Sequence, residues 1–127
     1  MTSQESCEEY RSDDSRILAP ELDGVVLCES RDDMSLALKI ADEDRVPITP
    51  RAGGSGRTRG AVPIEGGLVL ACHQMNQMVD FDRKEGVCVV EPGMNLAELH
   101  FLVEKEGWFY PPDPNSADLC CLAGNLE

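Results

Sequence analysis

Apolar residues come in short runs divided by polar punctuation. Val25–Cys28, Leu68–Cys72 and Val87–Val90 are unbroken apolar stretches, the pattern of short buried strands. Between the first two, Met34, Ala37, Leu38 and Ala41 recur at i, i+3, i+4 and i+7. That period predicts an amphipathic helix over 32–45, and Ser30 and Asp33 stand at capping-box spacing before it. Val46–Pro50 reads as extended, because Pro47 and Pro50 both disfavour helix. A second helical stripe is Leu96, Leu99, Leu102 and Val103, opened by Asn95 at cap spacing from Glu98 and closed by Gly107. Both stripes read as core. Trp108–Tyr110 reads as a last strand-like run, entering Pro111-Pro112-Asp113-Pro114. Residues 1–16 are polar and acidic, a frayed or short helical lead-in. The order predicts an α+β (α/β-like) fold: a small, mainly parallel sheet flanked by helices.

Length and composition then narrow the classes. A chain of 127 residues fits one compact domain, and 42% hydrophobic residues suffice for a core. The net charge of −13 and the 5% aromatic content argue against nucleic-acid binding, which needs basic charge and stacking platforms. No apolar run is long enough for a transmembrane helix, and Met1–Glu9 lacks the pattern of a secretory signal. The expected location is therefore cytoplasmic, with peripheral membrane association left to a partner. The six cysteines (7, 28, 72, 88, 120 and 121) form no C-x-x-C, and His73 and His100 are not spaced with them as zinc ligands. They read as reduced, mostly buried thiols; the other reading is a metal or cluster site completed by another chain. No metal site is assigned within this chain.

The charge is unevenly spread. Residues 46–64 hold Arg51, Arg57 and Arg59 and none of the 24 acidic residues. The same stretch carries Gly53, Gly54, Gly56 and Gly60. A glycine-rich positive island in an acidic chain is either an anion site or a solvated loop with incidental arginines. Three nucleotide motifs compete for it. A Walker A loop needs a lysine, and none lies between Lys39 and Lys84. A Rossmann turn needs a third glycine where Arg59 stands, then a helix, which Pro63, Gly66 and Gly67 prevent. A loop whose own N–H groups wrap a diphosphate needs only close-approaching glycines, a small hydroxyl such as Ser55 and a cation such as Arg51. That option fits.

Four blocks then occur in a recognisable order. Val46-Pro47-Ile48-Thr49-Pro50-Arg51-Ala52-Gly53-Gly54-Ser55-Gly56 resembles a strand followed by a P-R-G-x-G-T-G loop. Gly67–Leu70 with Met75–Met78 resembles "G-x-V-L … M-N-x-I", and Asp80-Phe81-Asp82 resembles the short acidic turn after it. Val89–Gly93 resembles "V-x-P-G". Tyr110–Ser116 with Leu122–Asn125 resembles "P-P-D-P-x-S … I-G-G-N". Together they resemble the N-terminal, PCMH-type FAD-binding part of the vanillyl-alcohol oxidase/p-cresol methylhydroxylase family, nearest the glycolate oxidase D-subunit and D-lactate dehydrogenase group. The resemblance runs from about Tyr10 to Asn125.

The resemblance implies that Pro50, Arg51, Ala52, Gly53, Gly54, Ser55 and Gly56 hold the FAD diphosphate. It places Pro112, Asp113, Ser116, Gly124 and Asn125 beside the flavin. It implies an FAD-linked 2-hydroxy-acid oxidoreductase, in which the cofactor carries the redox chemistry. Ser55 stands where members with covalently attached FAD have histidine, so non-covalent FAD is expected. Ala52, Ser55 and Ala123 are small-for-small departures. Arg59 replaces a glycine, and it either clamps phosphate or faces solvent. His73 and His100 match no catalytic position and read as structural, so no catalytic residue is assigned. Residues 17–127 then correspond to the first lobe of the FAD cradle. The second lobe and the substrate domain are expected elsewhere, in the rest of a parent flavoprotein or a partner subunit, with an iron–sulfur electron-transfer subunit among the implied partners. The chain alone is expected to be inactive. The alternative is a non-catalytic acidic α/β module that acts by association with another chain.

Overall fold

A computed structural model describes residues 1–126. Helix α1 spans Gln4–Cys7 and continues as a 3-10 turn, Glu8–Arg11. Strand β1 is Gly24–Leu27, helix α2 Arg31–Asp44, strand β2 Ile48–Arg51 and strand β3 Leu68–Ala71. Strands β4 (Met78–Asp82) and β5 (Val87–Val90) precede helix α3 (Leu96–Glu104) and the single helical turn α4 (Leu122–Asn125).

The first three strands form one parallel sheet in the order β1-β3-β2, with Leu27 and Arg51 both in register with Ala71. Both faces are covered, which is why these strands read as continuous apolar runs. Val25, Val69 and Ala71 pack against Cys7, Tyr10 and Leu22. Leu70, Cys28 and Cys72 face the other way, toward Met34 and Ala37 of α2. The polar lead-in is thus a packed helical cover whose Cys7 is fully buried. Pro50 is tolerated in a strand because β2 is an edge.

Side-chain caps hold the helices. The Ser30 hydroxyl accepts from the Asp33 N–H at 3.2 Å, and the Asp33 carboxylate accepts from the Glu29 N–H. At the far end of α2 the chain turns through Arg45, a left-handed residue, and Val46 N–H bonds back to the Ala41 carbonyl. Asn95 caps α3 through the Glu98 N–H. Gly107 ends it, with Trp108 N–H reaching the Val103 carbonyl.

Three expectations are corrected. The Asp80-Phe81-Asp82 turn is part of β4, which pairs antiparallel with β5 across an irregularity at Met78/Asp80. Its aspartates hid it, since Phe81 and Met78 face the core while the opposite side meets solvent. Trp108–Tyr110 forms no strand; the Trp108 ring lies on Gly86 of the hairpin turn and its Nε1–H donates to the Arg83 carbonyl at 3.0 Å. The α2 stripe is only part core: Ala41 is buried, but Leu38 is 46% exposed. Its twin on α3 is core, with Leu96, Leu99 and Val103 all buried beneath the β4–β5 hairpin.

Candidate functional site

Parallel strands gather their loops at their carboxyl ends, where open α/β sheets bind ligands. β2 ends at Arg51, and the glycine loop leaves from there. The loop is fixed from below. Cys72, just past β3, donates its N–H to the Arg51 carbonyl at 2.9 Å, and its thiol points to the same oxygen. Gly53 passes so close to the 116–121 segment that a Cβ there would run into the Leu119 carbonyl. Gly54 has φ +66°, and a Cβ there would collide with the Arg51 guanidinium. These two glycines are therefore dictated by close approach and by left-handed backbone.

The opposing wall is held by backbone bonds. Leu96 N–H donates to the Cys120 carbonyl at 3.0 Å, and Leu122 N–H to the Met94 carbonyl at 2.8 Å. Asn95 adds a bond from its amide to the Asp118 carbonyl. The start of α3 thereby locks the 118–122 segment against the hairpin unit, facing the glycine loop.

Between the walls lies a cleft of about 350 Å³. Of the residues singled out from sequence, Pro50 to Gly56, Ser116, Gly124 and Asn125 all line it. Pro112 and Asp113 do not; the Pro112 carbonyl instead meets His100 Nε2 at 2.9 Å, while Pro114 reaches the cleft. His100 is thus occupied by a structural contact. Arg57 and Arg59 are exposed and outside the lining. Sequence reasoning missed Thr58, Gly60 and Ala61 on the loop, and Cys72, Cys120 and Cys121 at the floor. The signal for the thiols was position: Cys72 follows the strand beside β2, and Cys121 directly precedes the Leu122–Asn125 block.

The lining is rich in backbone donors and carries a single cation among the described residues. Among the described residues, the N–H groups of Gly54, Ser55 and Gly56 reach no backbone acceptor. One end of the Asn125 amide is buried in the wall without a partner. Among the described residues, Arg51 is the only charged one that lines the cleft. Burial pushes its pKa down, while Asp13, Tyr10 and Glu9 oppose that shift; a guanidinium stays cationic regardless. Burial raises the Cys72 thiol, helped by Cys121. Burial likewise raises Cys121, aided by Cys120, with the Gly53 N–H pulling it partly back. These are protonated thiols at neutral pH, unsuited to nucleophilic work. Among the described residues, no His, Asp, Glu, Lys or Tyr lines the cleft.

Fold and site together define a small α+β unit with a glycine-lined cleft at the carboxyl end of a parallel sheet. The sequence profile of the FAD binding domain family matches residues 22–127, and the chain belongs to that family. FAD is accordingly the cofactor of this domain. The chain is 39% identical over 105 residues to the glycolate oxidase subunit GlcD of Bacillus subtilis, a match covering 83% of this chain and 22% of that protein. It is 30% identical over 129 aligned positions to a D-lactate dehydrogenase of Anaerostipes hadrus, covering 99% of this chain and 26% of that one. The chain therefore spans about a quarter of the length of these relatives. Among solved structures it resembles an alkyldihydroxyacetonephosphate synthase, with TM-score 0.70, 28% identity, and 79% of this chain against 21% of the other. It shares the fold of 6-hydroxy-D-nicotine oxidase from Arthrobacter nicotinovorans, with TM-score 0.69, 22% identity, and 84% of this chain against 23% of the other. No helix among the described residues is long and apolar enough to cross a membrane.

Proposed function

We propose that this chain is the diphosphate-holding lobe of an FAD-linked 2-hydroxy-acid oxidoreductase of the glycolate oxidase and D-lactate dehydrogenase kind. The observation that supports it best is the run of amides without backbone acceptors at Gly54–Gly56, in residues that share one cleft with Ser116, Gly124 and Asn125. When bound, FAD supplies the two-electron chemistry by which a 2-hydroxy acid is oxidised at its α-carbon.

The chain's own residues bind and orient. Three adjacent N–H groups would donate to the diphosphate, and the Ser55 hydroxyl would add a fourth donor. Asn125 lines the opposite wall of the same cleft. Ser55 has no ring nitrogen to form a flavin bond, so this loop holds the cofactor non-covalently. Among the described residues, no side chain in the cleft is fitted to take a proton from substrate, so on this reading the carboxylate-binding and acid–base groups come from other polypeptide. That is the remainder of a longer flavoprotein or a partner subunit, with an iron–sulfur subunit as one candidate electron acceptor. On this reading the chain alone binds FAD without oxidising glycolate or D-lactate. Dye-coupled turnover of either substrate by the purified chain would overturn the division of labour. Flavin that stays attached after denaturation would overturn non-covalent binding.

A further inference from the structure

The loop is also supported by residues outside the cleft lining. Arg51 lines the cleft, but its guanidinium is engaged on the side of the N-terminal segment. Its Nη1 donates to the Ser12 carbonyl at 2.6 Å, and its Cζ lies 5.5 Å from the centroid of the Tyr10 ring. Its Nε, Cζ and Nη2 lie against the face of Gly54. Asp13 sits beside it, only 8% exposed. One Asp13 oxygen accepts from the Ser15 N–H at 2.8 Å; the other is buried without a hydrogen-bond partner, 4.0 Å from where a Cβ on Gly56 would stand. Neither Tyr10 nor Asp13 lines the cleft.

We infer that Tyr10–Asp13 is a clasp for the diphosphate loop: it holds the Arg51 guanidinium beneath Gly54, so that Arg51 positions the loop amides instead of ligating the phosphates. This rests on the FAD-binding reading above. The physical argument is one of donors and charge. A guanidinium committed to a backbone carbonyl, an aromatic face and the underside of a glycine has its planar fork aimed away from the ligand. The buried Asp13 carboxylate nearby is of opposite charge. Recognition then falls to the loop amides, whose spacing depends on Gly54 keeping its left-handed turn over the guanidinium. The N-terminal segment, distant in sequence, becomes part of the cofactor site without touching cofactor.

The test uses this chain with Tyr10→Leu, Tyr10→Phe, Arg51→Lys and Arg51→Met. It reads FAD affinity at several salt concentrations and amide exchange of Gly54–Gly56 without FAD. The clasp predicts that Tyr10→Leu and Arg51→Lys each weaken FAD about tenfold, the scale of one lost cation–π contact with its charge-assisted bond. Tyr10→Phe, which keeps the ring, stays within about twofold of wild type. Arg51→Met weakens binding without changing its salt dependence, and loop exchange speeds up in Tyr10→Leu and Arg51→Lys. Two results overturn the inference. One is a salt slope reduced by about one charge in Arg51→Met, with affinity rescued by Arg51→Lys, as for a direct phosphate ligand. The other is unchanged loop exchange in Tyr10→Leu. A wild-type chain that ignores FAD would overturn the FAD-binding reading instead, while the exchange measurement would still decide whether the clasp orders the loop.

Discussion

The parallel sheet and the β4–β5 hairpin are both built from short apolar strands, yet they are covered differently. In the sheet, Val25, Val69 and Ala71 are shielded by the N-terminal segment, while Leu70, Cys28 and Cys72 face α2. In the hairpin only one side is covered: Met78, Phe81, Cys88 and Val90 meet α3, while Val87 and Val89 are exposed. A two-sided sheet offers a rigid carboxyl end from which a loop can be aimed. The one-sided hairpin serves as a platform, its role being to carry the Met94–Leu96 edge that fixes the far wall of the cleft. The site therefore has an aimed wall and a carried wall, and substitutions in each should fail differently.

The largest effect is expected in the aimed wall. Gly54→Val puts a β-branched residue at φ +66° and drives its Cβ into Arg51, so FAD affinity should fall about 100-fold or more, some 2.7 kcal/mol. Calorimetric titration checks this, with the fold verified by circular dichroism. The next is in the carried wall. Leu99 is 1% exposed, and Leu99→Ala should cost about 2–5 kcal/mol of stability, read in urea through fluorescence of the single Trp108 on the hairpin turn. FAD affinity should change little in the molecules that remain folded, and a large affinity loss there would erase the distinction between the walls.

A smaller effect tests the α2 cover of the sheet. Ser30→Ala removes the N-cap and should cost about 1 kcal/mol. It also bears on acid stability. The Ser30 hydroxyl and the Glu29 N–H hold the Asp33 carboxyl below its ordinary pKa. A depressed carboxyl stabilises the fold above its unfolded pKa, and that contribution fades as pH falls through the folded value. Ser30→Ala should therefore flatten the acidic limb of the stability curve, measured by thermal unfolding across pH. The smallest effect belongs to the uncovered hairpin side: Val89→Thr should shift stability by no more than about 0.5 kcal/mol. A cost comparable to Leu99→Ala would mean that this side is covered in solution.

Much of this was legible from residues alone. The strands at 25–28 and 68–72 were, because burial on both faces leaves unbroken apolar runs. The helix caps at Ser30 and Asn95 were, because capping is a local interaction written in adjacent residues. Strand β4 was not, since Asp80 and Asp82 interrupt the apolar pattern that its pairing with β5 overrides. The exposure of Leu38 was not, because an apolar period marks a face without saying what lies against it. At the cleft, the glycine loop was legible from spacing. The contribution of Tyr10, Ser12 and Asp13 was not, since Arg51 meets Ser12 across 39 residues of sequence.

The central claim is that the Gly54–Gly56 amides hold the FAD diphosphate, and titration of the purified chain with FAD followed in the visible region tests it most directly. The account predicts a saturable shift of the flavin bands, competed by ADP and lost in Gly54→Val. Flavin bands that stay those of free FAD throughout the titration would contradict it.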